Sequence, residues 1–262
     1  MATFPIYQIY IELEDYEPKM WRRFQVMNDI KMSKLAYIIM VFYELRKNYT
    51  YEFRKNELEL YLKKHPEYAK KPERLERLNK KFSNLRYGII AKNNMFMYKK
   101  LDDYNPLEDA TKVNMKDVLT YPNDEITFIY DPETNWKIKV VLEKIIVDKS
   151  LYSKELPKII EGEGYGIVET CSSSKDLKKF RDRLKADGWK NKTAYKFYST
   201  LNNSKDKLYF DKIDLDDMNF RIKTLPRALQ EYYEQGINYD TYRVFKIKRR
   251  RYTVYTKSID KS

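Results

Sequence analysis

Cysteine and histidine are almost absent from this chain, which has one of each in 262 residues, Cys171 and His65. A single cysteine excludes an internal disulfide framework and any zinc site built from several cysteines. A Cys–His dyad would require Cys171 to meet His65, which lies in a distant segment flanked by lysines. The residues therefore favour a non-catalytic protein, and they identify no metal site and no cofactor.

Glycine and long apolar stretches are also scarce. The chain contains 6 glycines, 42% hydrophobic residues and 35% charged residues, a balance typical of a soluble fold rich in helices and strands. No apolar stretch approaches the length that spans a membrane, and the N-terminal MATFPIYQIY lacks the build of a signal peptide. We therefore expect a cytoplasmic protein that has no membrane partner.

The net charge of +13 is concentrated in two segments. Residues 46–100 contain 16 basic and 6 acidic residues, and residues 239–262 contain 8 basic and 2 acidic residues. The remainder holds 28 basic and 31 acidic residues, so the body of the protein is near neutral. A basic segment indicates a nucleic acid, another polyanion or an acidic partner, or simply a solvated face.

The stretch at residues 123–145 carries the clearest strand pattern in the chain. Ile126, Phe128 and Tyr130 alternate with other residues, DPET supplies turn chemistry, and a second alternating run follows Trp136. A hairpin of this length needs a covered face, so we expect it in the middle of a larger sheet.

Two more strands and a helix are predicted in the N-terminal part. Residues 6–13 and 21–27 alternate in the manner of an antiparallel pair. Apolar residues recur at helical spacing over residues 34–47, and Ser33 is the predicted N-cap of that helix.

Further helices follow later in the chain. Residues 73–86 form a basic amphipathic pattern, and a helix that runs through Tyr233 and ends near Gly236 should be capped by Asp214 or Asp216. The predicted fold is α+β, a mixed or antiparallel sheet covered by helices, with an inserted basic helical segment and a C-terminal basic hairpin.

Four segments resemble one known family. They are PKMWRRFQV, YDPETNW, GEGYG followed by ETCSSS, and FDKIDLDDMNF, and together they resemble the plasmid pRiA4b ORF-3-like family, also called insertion-element passenger proteins. The resemblance covers residues 5–53 and 112–235. The family usually has YDFGDNW and Glu-Asp-Cys-Gly-Gly at two of these places, and this chain has lost most of the family's histidines and cysteines. The resemblance implies an association with mobile elements, while the family has no settled biochemical function.

The domain organisation follows from the resemblance and the charge. We expect one α+β domain over residues 1–235, with a helical insertion at about 54–100, and a basic extension over residues 236–262. Arg22 and Arg23 lie in a family motif. They are predicted to bind carboxylates or backbone carbonyls, and a phosphate-binding role is the alternative.

The basic segments are the predicted functional surface. Lysine and arginine displace counterions from phosphates, and interleaved tyrosines can stack on bases. We therefore predict a protein that binds nucleic acid or a nucleoprotein. The predicted binding residues are Arg74, Arg77, Lys80, Lys81, Arg243, Lys246, Lys248, Arg249, Arg250, Arg251 and Tyr252.

Three alternatives stay open at this point. A mobile-element context permits an anti-defence inhibitor of a host RNA-guided nuclease. Converging carboxylates could hold Mg²⁺ in a metal-dependent nuclease. The basic segments could instead dock an acidic protein partner. The carboxylates concerned are Asp131, Glu143, Glu161, Glu163 and Glu169.

Overall fold

A computed structural model describes residues 5–45, 49–82, 84–89, 107–131, 133–147, 155–186 and 211–236. The described strands are β1 (Ile6–Leu13), β2 (Trp21–Met27), β3 (Tyr51–Asn56), β4 (Asn84–Ile89), β5 (Leu107–Asp109), β6 (Glu125–Tyr130), β7 (Trp136–Ile146) and β8 (Lys158–Glu163). The described helices are α1 (Met32–Phe42), α2 (Glu57–Lys64), α3 (Pro72–Lys81), α4 (Met115–Val118), α5 (Ser174–Ala186) and α6 (Leu215–Gln235), with a 3₁₀ turn at Pro66–Tyr68.

The eight described strands form one sheet in the order β5-β4-β3-β6-β7-β1-β2-β8. Neighbouring strands are antiparallel except β4 and β5, which are parallel, so the sheet is mixed. The predicted hairpin forms β6 and β7, and it occupies the middle of the sheet as expected. The predicted α+β class is confirmed.

One face of the sheet packs against α1 and α6. Phe42 of α1 contacts Phe24 of β2 with 4.9 Å between ring centroids, and Tyr37 of α1 meets Tyr51 of β3 edge to face. Tyr233 of α6 stacks on Tyr37 at 5.7 Å, so the two helices pack side by side over the strands. Aromatic side chains of this size supply much of the apolar area buried in the core.

A buried ion pair joins the end of α1 to α6. The carboxylate of Glu44 accepts a hydrogen bond from the guanidinium of Arg221, and Asp217 lies 3.7 Å from the same guanidinium. All three residues are buried, so each charge needs the others to offset its loss of hydration. This cluster holds α6 over the sheet.

Helix α6 matches its prediction. Asp214 is the N-cap, and its carboxylate accepts hydrogen bonds from the backbone N–H groups of Asp216 and Asp217. Gly236 ends the helix with φ of 70°, a left-handed conformation that glycine adopts without steric cost.

The predicted start of α1 is wrong. The helix begins at Met32, and Lys31 is the N-cap residue, with no side-chain hydrogen bond. The N–H groups of Met32 and Ser33 instead donate to the carbonyl oxygens of Val113 and Ala110. A distant backbone segment therefore satisfies the free donors of the first turn, and no hydroxyl cap is needed.

The predicted helix at residues 73–86 is too long. Helix α3 ends at Lys81, and the chain re-enters the sheet as β4, where Leu85 pairs with Lys55 and Arg86 with Arg54. Leu85 continues the helical spacing of apolar residues, but pairing with the exposed edge of β3 overrides that local pattern.

The structure does not describe the C-terminal part of the chain. The basic extension after residue 236 and its predicted hairpin lie outside the described residues. None of the helices in the described part of the chain is both long enough and apolar enough to span a membrane.

Candidate nucleic-acid interface

The basic insertion is the segment that connects β3 to β4, residues 57–83. These strands remain paired as far as Asn56 and Asn84, a position where a tight turn could join them. Instead the chain builds α2, a 3₁₀ turn and α3. None of the side chains described between residues 57 and 82 is buried. The insertion therefore contributes little to the core of the body.

An aromatic cluster holds the insertion together. Tyr61 of α2 lies 5.0 Å from Phe82 and 4.6 Å from His65 between ring centroids, and it stacks on Tyr68 at 6.0 Å. These rings are only partly buried, so one side of the cluster remains available to solvent. Half-buried aromatic rings beside cations are typical of surfaces on which bases stack.

Two of the predicted binding residues lie on this surface. Arg74 and Arg77 are exposed, and the guanidinium carbon of Arg74 lies 4.1 Å from the centre of the Tyr68 ring. Neither arginine forms an ion pair with any carboxylate in the described part of the chain. Their charge is therefore available to a partner, and Tyr68 positions one of them.

The remaining predicted binding residues cannot be located in the same way. Lys80 and Lys81 belong to the last turn of α3, but their side chains lie outside the described part. The C-terminal set lies wholly outside the described residues. It comprises Arg243, Lys246, Lys248, Arg249, Arg250, Arg251 and Tyr252.

The prediction also missed two cations that share the insertion's surface. Lys70 and Lys71 are exposed, and they directly precede α3, which begins at Pro72. Two lysines directly before a proline that can start a helix could have identified these cations in the sequence.

A second surface is the sheet face opposite α1, here called the open face. Its side chains alternate with the core residues along the strands. They are partly or fully exposed on β1, β2 and β8, whereas Glu52, Arg86 and Ile129 on β3, β4 and β6 are buried. Cross-strand pairing aligns one row of them over six strands. That row is Arg54, Thr127, Lys139, Glu12, Trp21 and Glu163.

An aromatic pair lies on the open face near the β8 edge of the sheet. Tyr10 of β1 and Trp21 of β2 stack with 5.6 Å between centroids and 28° between planes. The guanidinium of Arg23 lies 5.7 Å from the Tyr10 ring and 5.3 Å from the Trp21 ring. The sequence prediction missed Tyr10 and Trp21 as surface residues, although the alternation of β1 and β2 places both on the face opposite the core.

Arg23 is held by carboxylates on the neighbouring strands. Its Nε and one terminal nitrogen donate to the two carboxylate oxygens of Glu143 at 2.6 and 2.8 Å, and the other terminal nitrogen bonds Glu161. Arg22, which points to the opposite face, donates to backbone carbonyl oxygens. The predicted role of both arginines in binding carboxylates and carbonyls is confirmed.

Two other carboxylates of the open face also have partners. Glu12 accepts a hydrogen bond from the Tyr10 hydroxyl and another from Lys19 at 3.2 Å. Glu163 accepts one from the indole N–H of Trp21 at 3.3 Å. The negative charges around the aromatic pair are therefore partly compensated within the face.

The cysteine and the histidine do not form a catalytic pair. Cys171 is buried, and burial raises the pKa of its thiol to about 12, so the thiol stays protonated at neutral pH. His65 belongs to the aromatic cluster of the insertion, where it contacts Tyr61 and Tyr68.

The carboxylates considered for a metal-dependent nuclease have structural partners. Asp131 accepts hydrogen bonds from the N–H of Glu133 at 3.2 Å and the hydroxyl of Thr134 at 2.7 Å, as a turn residue does. Glu169 accepts one from the hydroxyl of Tyr130 at 2.9 Å. Among the described residues, no three His, Cys, Asp or Glu side chains are grouped so that they could hold a metal ion.

Comparison with known proteins identifies a family and a fold. The family model described as plasmid pRiA4b ORF-3-like protein matches residues 5–219. A crystal structure of protein MM3350 from Methanosarcina mazei Go1, titled a protein of unknown function, has 20% sequence identity and a TM-score of 0.56. That similarity covers 82% of this chain and 97% of MM3350, and it shows a shared fold. No curated protein matches this chain.

Proposed function

This chain belongs to the plasmid pRiA4b ORF-3-like protein family, and we propose that it binds nucleic acid or a nucleoprotein through its basic insertion. The observation that carries the proposal is the cation–ring contact on an otherwise solvent-exposed insertion. Arg74 lies over Tyr68, Arg77 follows three residues later on α3, and neither is neutralised by a described carboxylate. Such a surface can neutralise phosphates and stack on bases.

The construction of the insertion supports this function over a purely structural one. A helical segment that buries no described side chain adds little hydrophobic stabilisation to the body. Arg74, Arg77, Lys70 and Lys71 all present exposed charge on it. The binding is therefore expected to be sensitive to salt and weakly specific for sequence, because phosphate contacts carry no base information.

The biological setting we propose is a mobile element in the cytoplasm, with no catalysis by this chain. In that setting a protein that binds nucleoproteins acts as an accessory factor. An inhibitor of a host RNA-guided nuclease is the narrower form of this proposal, because the target of such an inhibitor is itself a nucleoprotein.

The test is binding of generic DNA and RNA as a function of salt concentration. Replacing Arg74 and Arg77 by alanine should weaken binding and reduce the slope of log K against log salt by about 2, one unit for each lost phosphate contact. The matched control replaces Arg183 and Lys185, two exposed cations in the last turn of α5, by alanine. It has the same net charge as the double variant and should bind as the wild type does.

Two results would overturn the proposal. One is that the purified protein binds no nucleic acid or nucleoprotein at low salt, and that nothing which nuclease treatment releases co-purifies with it. The other is an equal loss of affinity in the control variant, which would show that net charge alone attracts the polyanion.

A further inference from the structure

The open face carries a platform of the size and chemistry of a nucleobase. Tyr10 and Trp21 are half-buried, stacked on each other and next to Arg23, on the adjacent strands β1 and β2 near the β8 edge of the sheet. Aromatic rings exposed on a sheet face can stack on splayed bases. A duplex does not offer its base faces in this way, so the geometry favours a single strand.

Two lysines lie on β7, the strand that pairs with β1 on the side away from Trp21. The carboxylates next to the rings already have partners on the same face, as described above. By contrast, Lys137 and Lys139 of β7 form no side-chain hydrogen bond or ion pair with any described residue. Lys139 lies opposite Glu12, two strands from Trp21, a distance of about 10 Å at the usual strand spacing. Phosphates next to a stacked base can therefore reach these lysines.

A groove continues from the open face to the insertion. It has a volume of about 310 Å³, and it lies between α2 and the sheet. Leu60 and Lys63 line it from α2, and Arg54 and Lys137 line it from the sheet. Lys63 is bound to Glu125 at 3.1 Å, whereas Lys137 is exposed. The groove thus extends from Lys137 on the open face to helix α2 of the insertion.

We propose that the open face binds single-stranded nucleic acid, with a base stacked on Trp21 and Tyr10 and the backbone directed along Lys139 and Lys137 toward the insertion. The inference rests on the proposed nucleic-acid binding and names its substrate class. The insertion supplies affinity for phosphates of any form, and the open face supplies the preference for unpaired bases.

The experiment compares single-stranded oligonucleotides of mixed sequence with a duplex of the same length, at low salt, in the full chain. Replacing Tyr10 and Trp21 by alanine should lower single-strand affinity by 10-fold or more and leave duplex affinity unchanged. Tyr121→Ala is the matched control, because Tyr121 is 71% exposed but lies in the turn before β6. It should change neither affinity.

A second measurement does not depend on the stability of the alanine variant. Trp21 is half-exposed and Trp136 is buried in the core, while the third tryptophan, Trp189, lies outside the described residues and is replaced by phenylalanine in both proteins compared. A single strand should quench tryptophan fluorescence in the protein that retains Trp21. Trp21→Phe keeps a stacking ring, so it should keep single-strand affinity within about threefold while losing most of that quenching.

The outcomes separate this inference from the proposed function. If the arginine variants of the insertion lose binding while the alanine variant of the platform binds a single strand normally, the inference is wrong and the proposed function stands. Equal affinity for single strand and duplex, with no quenching, also overturns the inference. If the alanine variant of the platform binds single strands normally but no longer captures a protein, the open face binds a protein partner and the inference is wrong. If no nucleic acid binds at low salt, both proposals fail.

Discussion

The guanidinium of Arg22 donates a 2.8 Å hydrogen bond to the backbone carbonyl oxygen of Tyr165, and this contact joins β2 to the chain that follows β8. The same side chain reaches the carbonyl oxygen of Phe42 at 3.3 Å, where α1 ends, and the carbonyl of Glu163. Arg22 is fully buried, and burial lowers its pKa to about 10, which leaves it charged at neutral pH. A family motif that looked like a possible phosphate site is therefore a structural clamp.

Removing this clamp should destabilise the whole domain. Arg22→Met leaves several buried carbonyl groups without their donor, and we expect the free energy of unfolding to fall by about 3 kcal/mol or more. Urea denaturation measures the change. Arg183→Met is the matched control, since Arg183 is exposed on α5, and it should shift stability by no more than about 0.5 kcal/mol. Equal stability of the two variants would contradict the assigned role.

Asn219 of α6 protects the edge of the sheet. Its side-chain oxygen accepts from the N–H of Ile159 at 2.9 Å, and its amide nitrogen lies 3.5 Å from the carbonyl oxygen of the same residue. β8 is an edge strand, so Asn219→Ala should cost about 1–3 kcal/mol and promote self-association. Denaturation and light scattering measure both effects. Asn219→Asp keeps the acceptor and should lose less stability; a larger loss would refute the assignment.

The Arg23–Glu143 ion pair should make the free energy of unfolding depend on pH. Burial alone would raise the pKa of Glu143, but hydrogen bonds from Arg23 and Gln8 outweigh it and lower the pKa. A carboxyl group with a lower pKa in the folded state stabilises the fold above its unfolded pKa, about 4.3, and loses that effect as the pH falls through the folded pKa.

The measurement is the free energy of unfolding of the wild type and of Glu143→Gln between pH 7 and pH 3. The wild type should be more stable at pH 7, and the difference should shrink as the pH falls below about 4.3. Glu133→Gln serves as control, because Glu133 lies exposed in the β6–β7 turn, and its difference should stay near zero. A Glu143 difference that grows toward low pH would show that the sign is wrong.

The insertion should be dispensable for folding. Replacing residues 57–83 by Asn-Gly would join Asn56 to Asn84, which already face each other across β3 and β4. Because none of the described side chains in the insertion is buried, we expect cooperative unfolding with a midpoint within a few degrees of the wild type. Thermal unfolding followed by circular dichroism tests this. Loss of cooperativity would mean that the insertion supports the core.

Local patterns succeeded where neighbouring residues decide the structure. The alternation in β6 and β7 identified the central hairpin, and Asp214 and Gly236 bounded α6. They were wrong about Ser33, which is not the N-cap of α1, and about Leu85, which lies in β4 and not in α3. The first turn of α1 found its acceptors in residues 110–113, and Leu85 found its strand partner across the sheet. Both partners are distant in sequence, so no local pattern contains them.

Composition and periodicity were sufficient to predict the α+β class, the two basic segments on a near-neutral body and the lack of a site built from several cysteines. Which residues contact each other depends on how the strands and helices pack. Antiparallel pairing of β1 with β2 brings Tyr10 beside Trp21, and the packing of α1 on the sheet turns Arg22 into a buried clamp. Register and packing depend on contacts between distant strands and helices, and those contacts exist only once the chain has folded.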